Sequence, residues 1–373
     1  MSEASRDRVG ALFAGARRTF RPRAGDELHR RIALETGLSV PGVVHALEHV
    51  LEVDAAESEL DAFVDRARLA GEAPAIAIVL AANVFTAPLR AIAWALARSP
   101  RVVVRPSRRG QLFPTVLASA ARGAFELAKA SDDPSADLAS LLDTLPTGSG
   151  VHVYGGAEAL DAVRATASAR PGLGLELHGP GFGVIVGEAT ELAAQADAIA
   201  LDVAAFDQRG CLSPRLAFAI GSRDRAAAAC DALHAALGRI GERIPRGTAT
   251  AYEAGAIRLA RETAEFHGRA LSGAHHLVLD LGDAPDAPIG PTFRTLPVVA
   301  VRDTSDALRR LAHVAARLTV IGAPTGTLDP GAVRALAPGA RLVPLGTMQR
   351  PPLAIGPVDL RHLESQRAAG ATR

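Results

Sequence analysis

The decapeptide FDQRGCLSPR, residues 206–215, carries Cys211, one of only two cysteines in the 373-residue chain. Cys211 follows a glycine and precedes Leu-Ser-Pro, which puts it in a turn between a helix and a strand and outside any apolar run. Cys230 lies instead in AAAACDALHAAL, an alanine-rich helix. A cysteine among small apolar residues packs as a small hydrophobe, whereas one on a loop near a helix terminus can ionise and attack an electron-poor carbon. Cys230 therefore reads as structural. Local context leaves Cys211 open between packing and nucleophilic chemistry.

A second constellation is HALEH, residues 45–49, which fits the H-x-x-E-H pattern of inverted zinc peptidases, with His45 and His49 one helical turn apart and Glu48 as base. No third ligand is identifiable, and three fixed positions in five residues arise by chance on a charged helix, so no metal is expected. For a nucleotide, the chain has no G-x-x-x-x-G-K-[ST], and the glycines of GLGLELHGPGFG do not fit G-x-G-x-x-G with its downstream acid. Arg105 and Ser107 of RVVVRPSRR fall just past a strand end, where phosphates tend to sit. Taken alone, Arg105 reads rather as a strand cap.

These residues need elements to carry them. From residue 74 short apolar runs alternate with longer amphipathic ones, the pattern of crossover units around a parallel sheet. IAIVLAA, RVVVRPS, VHVYG and LGLEL read as four strands, with helices from about Pro88, from about Leu112 and over AEALDAVRATASA. After HGPGFG the pattern restarts with GVIVGEA, a helix around 191–204, the cysteine segment, RLAFAIG and the helix through Cys230, followed by strand candidates HHLVLDL, LPVVAVRD and RLTVIG. The expected organisation is a helical lead-in over 1–72, a cofactor-binding domain over 73–178 joined by about 341–373 through RLVPLG, and a catalytic domain over 179–340.

Composition sets the outer limits. With 48% hydrophobic and 22% charged residues the chain can bury a large core, and its balance of +1 argues against nucleic acid or an anionic membrane as partner. Two cysteines cannot build a disulfide framework, and an Ala-rich chain without a signal peptide is expected in the cytoplasm. The most membrane-like stretch, residues 73–97, is interrupted by Asn83, Pro88 and Arg90 and reads as strand, turn and helix, so no membrane span is expected.

Several segments, in order, resemble the aldehyde dehydrogenase superfamily, and within it the acyl-CoA reductase family that includes the fatty-acyl reductase of bacterial bioluminescence. AANVFTAPLRAIAWALARSPRVVVRPSRR is similar to the strand, turn, helix and strand that carry an asparagine and then a basic-Pro-Ser element. VYGGAEALDAVRA resembles the Gly-rich turn and its helix, LELHGPGFGVIV the Glu-Leu-Gly-Gly segment, and FDQRGCLSPR the segment around the nucleophilic cysteine. ETGLSVPGVVHAL, PTFRTLPVVAV and GTMQRPPL look like the acyl-CoA reductase branch, so the resemblance covers most of residues 36–360.

The resemblance implies an aldehyde dehydrogenase-like α/β fold, two doubly wound α/β domains with the catalytic cleft between them. It implies NAD(P)H-dependent reduction of an acyl-CoA, or another acyl thioester, to an aldehyde through an acyl group on Cys211. The Cys211 amide and Asn83 would donate to the oxyanion, and Glu176 would serve as acid or base. Arg105, Ser107, Gly155 and Gly156 would hold the cofactor, with His178 and Gly179 beside the nicotinamide. Arg105, where lysine is usual, favours NADPH, with NADH an alternative. PTFRTLPV lacks the glutamate that commonly holds the nicotinamide ribose. Aldehyde oxidation to acid with Glu176 activating water, and a non-catalytic partner or scaffold subunit, are the competing expectations; a homo-oligomer is expected in each case.

Overall fold

In IAIV and VVVR nearly every side chain is buried, which requires cover on both faces of the strand and favours a parallel sheet between helices. The computed structural model describes residues 3–21, 26–129, 133–284, 288–353 and 364–367. The chain divides into two units. Unit 1 comprises Met1–Asp26, Leu47–Pro180 and Pro352–Arg373, and unit 2 comprises Glu27–Ala46 and Gly181–Pro351.

The strands of unit 1 are β1 (Ile76–Val79), β2 (Val102–Arg105), β3 (Glu126–Leu127), β4 (Gly150–Tyr154) and β5 (Gly174–His178). Those of unit 2 are β6 (Phe182–Glu188), β7 (Pro214–Ile220), β8 (Arg269–Gly273), β9 (His276–Asp280), β10 (Thr295–Val301), β11 (Leu318–Gly322) and β12 (Arg341–Val343). A last strand, β13 (Glu364–Arg367), returns to unit 1. The unit 1 sheet is ordered β13-β5-β4-β1-β2-β3, parallel except for β13. On one face Ala77, Val79, Val103, Val151, Val153 and Leu177 pack against Leu138, Leu141, Leu142, Leu160 and Val163. Strand alternation turns Ile76, Ile78, His152, Tyr154, Glu176 and His178 to the other face. The helix Ala87–Arg98 is buried from Pro88 onward, its Trp94 edge-on to Phe63 at 5.6 Å. Arg90, midway along it, is paired with Glu52 and donates to the Pro352 carbonyl, which lets a guanidinium sit in an apolar helix.

The unit 2 sheet is ordered β12-β11-β6-β7-β10-β9-β8, parallel except for β8. One face packs Ile185, Ala217, Ala219 and Val298 on the helix Arg223–Arg243 through Ala229, Cys230 and Leu233; the other gathers Val184, Phe218, Val299 and Leu311.

Three expectations are corrected. The lead-in over 1–72 is helical but not one body, because the helices Glu27–Thr36 and Val40–His45 belong to unit 2, where the Thr248 amide donates to the Gly37 carbonyl at 2.8 Å. RLVPLG does not return to the first domain. Its β12 extends the unit 2 sheet beside β11, with Ile321 level with Leu342, and the chain changes unit only at Pro352. The helix expected around 191–204 is two, Ala189–Ala194 and Ala196–Ala204, broken at Gln195.

Candidate active site

In unit 2 the helix Ala196–Ala204 ends in the turn that carries Cys211 into β7. Phe206, Asp207 and Gln208 take φ of 52°, 50° and 63°, three successive non-glycine residues in left-handed backbone. Such residues cost about 1–3 kcal/mol each and persist only where their surroundings over-determine them. Here they do. Asp207, 1% exposed, accepts from Arg294 Nε at 2.8 Å and from the Gly247 amide at 2.9 Å, while its carbonyl accepts from the Phe293 amide at 2.8 Å. Gln208 Nε2 donates to the Pro214 carbonyl at 2.5 Å and to the Thr295 carbonyl at 2.9 Å, and its Oε1 accepts from the Thr295 amide at 2.7 Å. The residues that answer this turn, Phe293 and Arg294, are themselves left-handed at φ 69° and 60°.

Arg209 anchors the turn on its outer side. Its Nε and Nη2 donate to Glu253 at 2.8 and 3.0 Å, and its guanidinium lies 5.0 Å from the Phe293 ring centre. Burial alone would raise the Glu253 carboxyl, but Arg209 and the Thr250 amide and hydroxyl outweigh it and hold Glu253 at about 2. Past the cysteine, the Thr319 hydroxyl is shared between the carbonyls of Cys211 and Phe182, and the Gly183 amide donates to the Ser213 carbonyl at 2.8 Å. Buried Asp202 accepts from the amides of Gly346 and Met348, and Gln349 Nε2 reaches Ser213 Oγ at 3.4 Å, so the segment GTMQR braces the far side of the turn. Cys211 is half-buried and in no disulfide. Cys230 is free and fully buried, and burial pushes its thiol far above the ordinary value. Of the two, Cys211 is the one with solvent access.

In unit 1 the strand order reverses at β1, since the chain proceeds from β1 to β2 and β3 on one side and then crosses to β4 and β5 on the other. The carboxyl ends at such a reversal are where open parallel sheets bind nucleotides. Asn83 is exposed on the loop after β1, Arg105 and Ser107 end and follow β2, Gly155 and Gly156 follow β4, and Gly179 follows β5. The structure thus gathers these six residues at one edge of one sheet. A Cβ on Gly155 would lie 3.0 Å from Ala159 Cβ, whereas one on Gly156, the N-cap of the helix Ala157–Ser168, would meet nothing within 4 Å. A helix start open at its cap, with a half-buried arginine on the next strand but one, fits a phosphate-bearing cofactor.

Two further expected site residues lie on β5 itself. His178 is 1% exposed and stacks on Tyr154 at 4.3 Å. Glu176 is engaged from within: Arg98 Nη1 donates to Oε1 at 2.6 Å, and His152 Nε2 lies 3.3 Å from Oε2. Burial, and secondarily Arg98, pushes His152 down to about 3, so the imidazole is neutral and the pairing is between Arg98 and Glu176. In HALEH, Glu48 and His49 are exposed, and among the described residues no group of three or more His, Cys, Asp or Glu is placed to hold a metal.

A family model described as Acyl-CoA reductase (LuxC) matches residues 70–352. The chain belongs to the acyl-CoA reductase family. Acyl-CoA reductases of this family are oxidoreductases, and the matched span contains all of the site residues described here. No curated protein matches the chain. Among solved structures, an aldehyde dehydrogenase from Brucella melitensis biovar abortus 2308 aligns with TM-score 0.67 and 16% identity, covering 92% of this chain and 78% of that one. An oxidoreductase from Marinobacter aquaeolei aligns with TM-score 0.66 and 14% identity over 95% and 79%, and an NAD-dependent aldehyde dehydrogenase from Sinorhizobium meliloti with 0.63 and 17% over 92% and 75%. At such identities the likeness shows the fold, which is that of the aldehyde dehydrogenases. Among the described residues no helix of this family member is long and apolar enough to cross a membrane.

Sequence reasoning missed Asp207, Gln208, Arg294, Glu253 and Thr319. One signal was available: PTFR carries an arginine in the segment where the resemblance leads one to expect a ribose-binding glutamate, and that arginine points inward to Asp207.

Proposed function

We propose that this acyl-CoA reductase family member converts an acyl-CoA, or another acyl thioester, to an aldehyde through a thioester on Cys211. The observation that carries the reading is the contrast between the two thiols: one buried in an alanine-rich helix, the other half-buried on a turn braced on every side. In the first step Cys211 Sγ, as thiolate, forms a bond to the acyl carbon, the bond from that carbon to the coenzyme A sulfur breaks, and coenzyme A leaves as thiolate. The Cys211 amide, fixed by the turn, donates to the oxygen that gains charge, and Asn83 is the proposed second donor. Arg105, Ser107, Gly155, Gly156 and Gly179 would hold the nicotinamide nucleotide, with the Arg105 charge favouring the 2′-phosphate of NADPH. When bound, that nucleotide supplies the hydride. Collapse of the resulting hemithioacetal anion breaks the carbon–sulfur bond to Cys211, frees the aldehyde and returns the thiolate.

The ion pair of Glu176 Oε1 with Arg98 supports aldehyde release over hydrolysis to an acid, since it ties that carboxylate to a neighbouring cation. The test is intact-protein mass after incubation with a panel of acyl-CoAs, together with aldehyde formation from acyl-CoA and NADPH. Wild type and Cys230→Ala gain one acyl group and turn over; Cys211→Ala does neither. An unchanged rate in Cys211→Ala ends the proposal, and acid formation from aldehyde without coenzyme A would favour the oxidative reading.

A further inference from the structure

We propose that Asp207 and Arg294 are positioning residues for the Cys211 thiol, joined as a buried ion pair that fixes the left-handed entry to the cysteine turn. The inference rests on the acyl-cysteine reading above.

Both side chains are 1% exposed, and the pair closes through Arg294 Nη2 to Asp207 Oδ1 at 2.7 Å as well as through Nε. Arg294 also donates from Nη1 to the Ile244 carbonyl at 2.6 Å, so it is held from the helix Arg223–Arg243 side while it holds Asp207. Each partner sits on left-handed non-glycine backbone, and the two runs meet through the Phe293 amide and Asp207 carbonyl. The next residue, Gln208, bridges from one end of the cysteine turn to the other through its hydrogen bond to the Pro214 carbonyl, with Cys211 midway. The direction in which the sulfur leaves the turn is therefore set by the backbone angles of 206–208. The Asp207–Arg294 pair and the Gln208 amide are the buried side-chain contacts that hold those angles in place, alongside the Gly247 and Phe293 amides. Neither charged side chain is exposed enough to touch substrate or cofactor, so the role is orientation, not chemistry.

Orientation predicts a separation of effects that general stabilisation does not. Full-length Asp207→Asn keeps the shape of the side chain and removes its charge. In single-turnover acylation of Cys211 by octanoyl-CoA, read by intact mass, the rate is expected to fall about 100-fold, since misplacing a reacting atom by about 1 Å costs about that much. Half-saturation by octanoyl-CoA and the NADPH dissociation constant should stay within about twofold. Hydrogen exchange of the amides 209–213 should quicken about tenfold while β7 keeps its protection. Where the single variant fails to fold, Asp207→Asn with Arg294→Gln removes both buried charges, retains donor and acceptor, and carries the same three readouts.

The proposal is overturned by unchanged exchange at 209–213, by quickened exchange with an unchanged acylation rate, or by a rate loss that merely tracks the unfolded fraction. Should wild type never take an acyl group on Cys211, the acyl-cysteine reading falls by itself. Exchange at 209–213 then still decides whether the pair orders the turn.

Discussion

Replacing Glu253 with glutamine should cost stability in a way that depends on pH, and the structure sets the size. The carboxylate accepts two charge-assisted hydrogen bonds from Arg209 and is also bonded by the Thr250 amide at 2.8 Å and hydroxyl at 3.0 Å; both side chains of the ion pair are under 15% exposed. A glutamate held at about 2 against an ordinary 4.5 is worth about 3 kcal/mol at neutral pH. Because the folded value is depressed, this contribution is complete above pH 4.5 and is lost as pH falls from there toward 2. Glutamine keeps one acceptor oxygen, so about 2 kcal/mol should disappear at pH 7, a fall in melting temperature of about 4–8 °C for a unit of this size. Urea unfolding of wild type and Glu253→Gln at steps from pH 7 to pH 3 reads this directly, since other carboxylates titrate in both proteins and cancel. The curves should converge as the pH drops. Parallel curves, or equal stability at pH 7, would refute the reasoning. Because Arg209 lies two residues before Cys211, the variant should also lose several-fold in kcat/KM at pH 7.

Four further outcomes are expected. Asn83→Ala should lower kcat about 100- to 1000-fold with nucleotide binding intact, measured by steady-state aldehyde formation and NADPH titration. Glu176→Gln should lower the melting temperature yet keep kcat within about fivefold, since it strands Arg98 without removing a base; a loss above about 100-fold would restore Glu176 to the chemistry. His152, neutral in the fold at about 3 against an ordinary 6.5, should cost stability as pH falls below 6.5, and His152→Asn should flatten that slope in acid unfolding. Gly156→Val should fold normally, because φ of −74° and open space suit any residue, but should weaken NADPH binding at least about tenfold if phosphate sits there.

What was legible in the sequence follows from what is local. Runs such as IAIV and RLAFAI announced their strands because both faces are covered, and the glycine and proline flanking Cys211 announced its turn. RALSG hid because β8 is an edge strand, half exposed and poor in apolar residues. RLV says nothing about which sheet it joins, since three residues carry no period, and its place beside β11 is set by the chain around it. Asp207 and Arg294 are 87 residues apart, so neither residue's surroundings in sequence hint at the other. The ion pair of Glu176 was hidden for the same reason: its partner Arg98 lies 78 residues earlier. His178 was assigned by place in a motif, and only its stacking on Tyr154 reveals that it is sealed.

The interleaving of the two units along the chain has a consequence for synthesis and dissection. The backbone passes between them at 26/27, 46/47, 180/181 and 351/352. A ribosome that has reached residue 180 has made most of unit 1, while the stretch 27–46 still lacks the rest of its own unit, including the Thr248 amide that will cap the Gly37 carbonyl. That stretch must wait, solvated, until the remainder of its own sheet emerges. Dividing the gene at that point would leave each fragment missing a piece the other carries, so neither half should fold well when expressed alone.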